Sequence, residues 1–195
     1  MQTLKLIVRE VRQESPLIRS LRLESADGGA LPAYSPGSHI KVQVPGLHDP
    51  RNYSLINAGG DSFGAPRQYR LGVRLEENSQ GGSRYMHALK EGDLVDALGP
   101  ANEFPLADHP GNTVLIAGGI GITPIASMAA SLANKGSGYT LHYSGRSRDQ
   151  LAFVDELQAL AGARLIVHAD HDPATAFSLD ALLAAAPAGE HIYVC

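Results

Sequence analysis

Two periods divide the chain. Up to residue 98, apolar and polar residues alternate in short runs. Residues 4–11 (LKLIVREV), 18–23 (IRSLRL), 39–44 (HIKVQV), 69–75 (YRLGVRL) and 93–98 (DLVDAL) show the two-residue period of half-buried strands. Turn chemistry separates them: Ser25-Ala26-Asp27-Gly28-Gly29 follows the second run, and Pro36-Gly37 precedes the third. The one helical stretch is short, at residues 83–89. Short strands joined by Gly/Pro turns predict a small antiparallel barrel. Pro, Gly and Asn then cluster in residues 106–112 (LADHPGN), which read as a linker. Beyond it, strands alternate with helices. Residues 114–117, 139–143, 164–168 and 191–195 read as strands. Helices are predicted from Pro124 (Ile125, Met128, Ala129, Leu132), over 149–160 (Leu151, Phe153, Val154, Leu157, Leu160) and over 179–186. That alternation predicts a parallel sheet with right-handed crossovers. The fold expected is therefore an antiparallel β-barrel over residues 1–106, followed by a parallel-sheet α/β domain over 112–195 that reaches only its fourth strand.

Composition narrows the function classes. Hydrophobic residues make up 44% of 195 residues, enough for a substantial core, and the net charge of −4 comes with no basic run. Nucleic acid is thereby excluded as a partner. The one cysteine, Cys195, allows no internal disulfide and suits the reducing cytoplasm. The N-terminus mixes charged and apolar residues and does not read as a signal peptide. Residues 114–133 carry no charge and are long enough to suggest a membrane span, but central glycines and a proline make them strand, turn and helix instead.

The chemistry begins at that turn. Gly118, Gly119 and Gly121 join a buried strand to a helix, with Thr123 as expected N-cap and Pro124 at the first helical position. Such a turn aims free N–H groups and the positive helix end at a phosphate. The spacing is not the usual Gly-x-Gly-x-x-Gly, and an ordinary tight turn is the alternative reading. Ligands of parallel sheets sit at the carboxyl ends of strands, where Ser144, Arg146, Asp170 and Cys195 also fall. In the barrel half, Arg51-Asn52-Tyr53-Ser54 supplies a cation, an aromatic ring and hydroxyls, a set suited to a flat phosphorylated ligand. Gly81-Gly82-Ser83 opens the short helix, where free N–H groups and the Ser83 hydroxyl form a second phosphate cradle; a flexible hairpin loop with Ser83 as N-cap is the alternative reading. Cys195 reads as packing rather than as a nucleophile, since no base can be paired with it. His168, Asp170, His171 and Asp172 have metal-ligand side chains but read as a strand-end loop, so no metal is expected. His39 and His87 read as structural.

In this order, RNYS, GGS and GGIGITP resemble the ferredoxin–NADP reductase superfamily. LEENSQGGSRYMH, GPANEFPL, HADHDPATAF and HIYVC are similar to the phthalate dioxygenase reductase family, which includes vanillate O-demethylase reductases. The resemblance spans the whole chain. It implies FMN on the barrel, NADH on the second domain, and hydride transfer from nicotinamide C4 to flavin N5. Single electrons would then pass through a 2Fe-2S cluster to a Rieske-type oxygenase. By resemblance, Arg51 holds the flavin phosphate, Tyr53 packs on the isoalloxazine with Asn52 beside it, and Ser54 faces N5. Gly72, Val73 and Arg74 line the ribityl path, and Gly81, Gly82 and Ser83 bind the phosphate. Gly118, Gly119, Gly121, Ile122, Thr123 and Pro124 receive the nucleotide, with Thr123 and Cys195 near the nicotinamide. Ser144, Arg146, Arg148 and Asp170 lie near the adenosine ribose.

Some choices stay open. Ser144 to Arg148 occupies the position of the usual ribose-binding acid, and its arginines suit a 2′-phosphate; the residues lean to NADPH and the family to NADH. The loop at residues 58–67 is long enough to hold an adenine, which would mean FAD. The family's cluster domain carries four cysteines that this chain lacks, so the native polypeptide is expected to continue beyond Cys195. A monomer is expected. The alternatives are an electron-transfer or sensor module without turnover, and a reductase of free flavin.

Overall fold

The structure is a computed structural model and describes residues 2–58, 63–185 and 189–195. Strands β1 (Thr3–Ser15), β2 (Ile18–Ser25), β3 (His39–Val42), β4 (Arg51–Ser54), β5 (Gln68–Arg74) and β6 (Leu94–Ala101) form an antiparallel sheet in the order β4-β3-β6-β1-β2-β5. A bridge between Leu55 and Leu71, and a bond from Ile56 N to Arg70 O at 2.8 Å, bring the two ends together into a barrel. The two-residue period explains its core. Leu4, Leu6 and Val8, Leu21 and Leu23, Ile40 and Val42, Tyr69, Leu71 and Val73, and Val95 and Ala97 all point inward. Helix α1 (Gly82–Ala88) covers one end, with Met86 buried against the barrel. Gly81 is the N-cap of α1, so the expected cap role of Ser83 does not hold: its Oγ accepts from Glu76 N at 3.2 Å.

Strands β7 (Thr113–Gly118), β8 (Tyr139–Gly145), β9 (Leu165–Ala169) and β10 (His191–Val194) form a parallel sheet in the order β10-β7-β8-β9. Helices α2 (Ile122–Lys135) and α3 (Val154–Ala161) pack against it, and α4 (Leu179–Ala185) follows β9. Ala186, the last residue expected in that helix, lies outside the described residues. Val114 to Ala117 are buried throughout, as a central parallel strand requires. Among the described residues, no helix is long and apolar enough to cross a membrane.

Two helix starts differ from expectation. A 3-10 turn at Gly119–Gly121 runs directly into α2, which makes Gly121 the N-cap. Thr123 is therefore the second helical residue, and its hydroxyl donates to Ile120 O at 3.1 Å. Pro124 remains in the first turn, where no N–H is needed. The helix expected from residue 149 begins only at Val154, because Phe153 takes a left-handed conformation with φ 63°. Leu151, Ala152 and Phe153 are buried, but as an irregular plug rather than a helical face.

The barrel and the parallel-sheet unit share one joint. Ile18 and Ile56 of the barrel are buried in the same cluster as Leu115, Ile122, Met128 and Phe153. Ser127 Oγ donates to Leu55 O at 2.7 Å and accepts from Asn57 N at 2.8 Å. At the far side of the joint, Arg70 meets Glu14 and Glu156. Hydrogen bonds from Arg70, ahead of its charge, hold the Glu156 carboxyl below its ordinary 4.5. A carboxylate with a depressed folded-state pKa contributes stability above its unfolded value, and the contribution is lost as pH falls through the folded value. Thermal midpoints of the native chain should therefore fall more steeply below pH 4.5 than those of Glu156→Gln. Parallel midpoint-versus-pH curves would show that Glu156 is not linked to folding.

Candidate active site

Strand β4 carries RNYS in alternation. Arg51 and Tyr53 pair across with Val42 and Ile40, while Asn52 and Ser54 pair with Lys41 and His39. Tyr53 packs against the barrel core, and desolvation pushes its phenol up to about 12, so it is a neutral ring at any working pH. Arg51 Nη1 donates to Asp49 O at 3.0 Å, and that contact leaves the rest of its guanidinium for another acceptor. Gly82 lies against both side chains. A Cβ there would come within 3.0 Å of Arg51 Cγ and 3.3 Å of Tyr53 Oη. Gly72, on β5, is as tightly fitted: a Cβ would meet Thr123 Cγ2 at 2.9 Å and Phe153 Cζ at 3.2 Å. These glycines are needed for close approach, since neither has positive φ.

Two clefts, each of about 340 Å³, run along the carboxyl ends of the parallel strands. The first is lined by Asn52, Tyr53, Ser54, Gly72, Val73, Arg74 and Ser83 from the barrel, facing Gly121, Thr123, Pro124 and Cys195. The second is lined by Gly118, Gly119, Ser144, Arg146 and Asp170, with Leu17 and Ile18 from the barrel. Arg74 and Ile120 belong to both clefts. Gly119 has φ +52°, and a Cβ there would meet nothing within 4 Å, so its backbone faces open space. The glycine turn thus opens the backbone of Gly119 to the cleft at the start of a helix, while the Gly118 N–H is held by Cys195 O. The barrel cleft is lined by the Tyr53 ring and the Ser83 hydroxyl, with Arg51 and Gly82 packed beside Tyr53 at its edge.

Not every expected residue falls in these clefts. Ile122 is fully buried, and its side chain belongs to the core. Arg148 lies outside the second cleft, in a groove with Arg12, Glu14 and Glu156. Arg51, Gly81 and Gly82 stand at the outer edge of the barrel cleft rather than in its lining. Asp170 N donates to Gly145 O at 2.9 Å, which fixes the loop edge of the second cleft. Part of the loop considered for an adenine, residues 59–62, lies outside the described residues.

Cys195 ends β10 beside the glycine turn. Its N donates to Ile116 O at 3.0 Å, and its O accepts from Gly118 N at 2.8 Å. Desolvation pushes its thiol up from the ordinary value, which does not suit a nucleophile. His168 lies on β9 and not in the loop that follows it. It stacks on His142, with Nε2 at 3.0 Å from His142 Nδ1 and Nδ1 at 3.0 Å from Thr175 O. Among the described residues, no group of three His, Cys, Asp or Glu is placed to hold a metal. His87 Nε2 lies 2.8 Å from Val73 O, a structural contact. His39 is buried, and its Nε2 has no hydrogen-bond partner. Glu76, Ile120 and Gln150 also line the clefts: Glu76 and Ile120 sit inside LEENSQGGSRYMH and GGIGITP without having been singled out, and no motif contains Gln150. Glu76 could have been noticed five residues ahead of Gly81 in the same loop.

No protein-family model matches the chain. Among curated proteins, it is 38% identical over 190 residues to the heme-dependent oxidative N-demethylase beta subunit of Ectopseudomonas mendocina, covering 96% of this chain and 59% of that protein. It is 40% identical over 195 residues to a vanillate O-demethylase oxidoreductase from a Pseudomonas species, covering 98% and 60%. Among solved structures, it matches phthalate dioxygenase reductase, described as a modular structure for electron transfer from pyridine nucleotides to 2Fe-2S. The TM-score is 0.87 at 34% identity, covering 99% of this chain and 60% of that one. The chain thus spans about 60% of the length of the vanillate O-demethylase oxidoreductase. On sequence and fold together, it belongs to the phthalate dioxygenase reductase branch of the ferredoxin–NADP reductase superfamily.

Proposed function

We propose that the chain is the flavin- and nucleotide-binding part of an oxygenase reductase, taking a hydride from NADH onto bound FMN. The observation that carries this reading is the meeting of the two clefts at Arg74 and Ile120, beside Thr123 and Cys195. When bound, the flavin accepts a two-electron hydride and gives up electrons singly. The residues supply the rest. Arg51 and the amides at Gly82 and Ser83 hold the phosphate, Tyr53 supports the ring, and Ser54 presents a hydroxyl at its edge. The backbone of Gly119, which faces open space, takes the nucleotide phosphates, while the Gly118 amide is spent on the Cys195 carbonyl. Thr123, locked by its bond to Ile120 O, presses its methyl toward Gly72 and sets the spacing between the two ligands. Hydride transfer needs reacting atoms within about 3–3.5 Å, so this spacing and the exclusion of water are the protein's contribution.

Electrons would pass on through a 2Fe-2S centre, as the description of phthalate dioxygenase reductase suggests, and, by the family resemblance, to a Rieske-type oxygenase. Such a centre needs four cysteine ligands. The one cysteine of these 195 residues cannot supply them, so the centre would be held elsewhere and no exit step is assigned to this chain.

NADH is favoured over NADPH because only Arg146 of the two loop arginines lines the second cleft. Anaerobic addition of NADH should bleach the flavin absorbance, heat-released cofactor should chromatograph as FMN, and kcat/KM should favour NADH by about tenfold, or roughly 1.4 kcal/mol. FAD on the chromatogram, or an advantage for NADPH, would overturn those two assignments separately. Flavin that stays bound but is not bleached would mark a passive binding module, and flavin lost as product a free-flavin reductase.

A further inference from the structure

We infer that Arg70 is a positioning residue: by clamping the start of α3 onto β5, it sets how the nucleotide turn faces the flavin strand, while lining neither cleft. The inference rests on the reading of the two clefts as sites for flavin and nicotinamide nucleotide.

Arg70 projects from β5, two residues before Gly72. Its Nη1 and Nη2 both donate to Glu156, at 2.5 and 2.9 Å, a forked pair that fixes direction as well as distance. Nη2 also donates to Glu14 Oε1 at 3.0 Å, and Glu14 accepts in addition from Ser20 Oγ. The guanidinium lies over the Phe153 ring, 4.8 Å from its centroid. The side chains of Arg70 and Glu14 are 12% and 4% exposed, so this is a nearly buried bridge and not a solvated surface pair. Arg12 closes the charge balance at the rim, with Nη1 3.9 Å from Glu156.

The three elements joined are informative. Glu14 and Arg70 belong to the barrel, while Glu156 and Phe153 belong to the start of α3. Glu156 stands in the first turn of that helix, where a carboxylate also meets the positive helix end. Phe153 is the only non-glycine residue at positive φ among the described residues. A bulky residue held there marks backbone strain. The strained turn carries the ring to Gly72, the residue that also abuts Thr123. A buried ion pair of this kind is a poor source of stability but a good determinant of one arrangement over others. Here the arrangement at stake is the contact of Gly72 with Thr123, where the clefts meet.

The test compares Glu156→Ala and Glu156→Gln with the native chain. Glu156 is the most exposed member of the clamp, and Arg70 keeps Glu14 in both variants. Flavin and oxidised-nucleotide dissociation constants should stay within about twofold. The single-turnover rate of flavin reduction by NADH should fall at least about tenfold in Glu156→Ala, since small misplacements cost rate steeply. Glu156→Gln, which retains an acceptor for Arg70, should recover part of it. In flavin-free protein, hydrogen exchange should quicken at Asn57, whose amide crosses the joint to Ser127, while the amides of β1 and β2 are unchanged. An unchanged rate in Glu156→Ala, a rate that falls only in step with ligand binding, or unchanged exchange at Asn57 would overturn the inference. Failure of the native chain to bleach with NADH would instead overturn the reading of the clefts, and the exchange result would still report on the clamp.

Discussion

Replacing Arg51 with alanine is expected to give a folded, colourless protein. Among the described residues its guanidinium makes one hydrogen bond, to the Asp49 carbonyl, and the side chain sits at the edge of the barrel beside Gly82 and Tyr53. Among the described residues its loss breaks no ion pair. In the flavin-bound state it would make charge-assisted bonds to a phosphate, worth roughly 1.5–3 kcal/mol. At 1.4 kcal/mol per decade, that corresponds to a flavin dissociation constant raised on the order of tenfold to a hundredfold. The purified variant should keep the far-ultraviolet circular dichroism of the native chain and lose its yellow colour. A variant that purifies with normal flavin content would remove Arg51 from the phosphate site.

Gly121→Val should be the more damaging change. Gly121 has an ordinary helical φ of −59°, so its glycine is not there for conformational freedom. It is there for space: a Cβ would sit 2.3 Å from the Cys195 carbonyl oxygen and 2.4 Å from the carbonyl carbon. Backbone must move, and what moves is the end of β10, with the bonds from Cys195 N to Ile116 O and from Gly118 N to Cys195 O. Overpacking of this kind typically costs about 1–3 kcal/mol, and here it would also shift the glycine turn proposed to receive the nucleotide. A lowered thermal midpoint together with nucleotide binding weakened by about tenfold or more is expected. Native values for both would mean that β10 yields without consequence.

The parts legible in the sequence are those with a local signal. Alternation placed five of the six barrel strands, and the four-residue RNYS strand was recognisable only by its chemistry. The run from Val114 to Pro124 carried both its buried strand and its glycine turn. What was not legible depends on residues far apart in the chain. The bridge from Leu55 to Leu71 that brings the barrel ends together follows from the register of all six strands. Thr123 looked like a cap because a 3-10 turn ahead of a helix leaves no mark on residue type. Leu151 and Phe153 matched a helical period, yet tertiary packing at Gly72 drew Phe153 into a left-handed turn. The clamp of Glu14, Arg70 and Glu156 spans most of the chain, and no window short enough to read as a motif contains it.

The sharing of one apolar cluster across the joint governs how the molecule comes apart. Ile18 and Ile56 are 2% exposed, and what covers them comes from the other side of the joint. A fragment cut in the linker at residues 106–112 would leave both isoleucines facing water, together with the open acceptor of Leu55 and donor of Asn57 that Ser127 now serves. Neither half then holds the interior it has in the whole. Melting should accordingly be one event: calorimetry of the intact chain is expected to give a single peak whose calorimetric and van't Hoff enthalpies agree. Two separated peaks would show the halves to be independent.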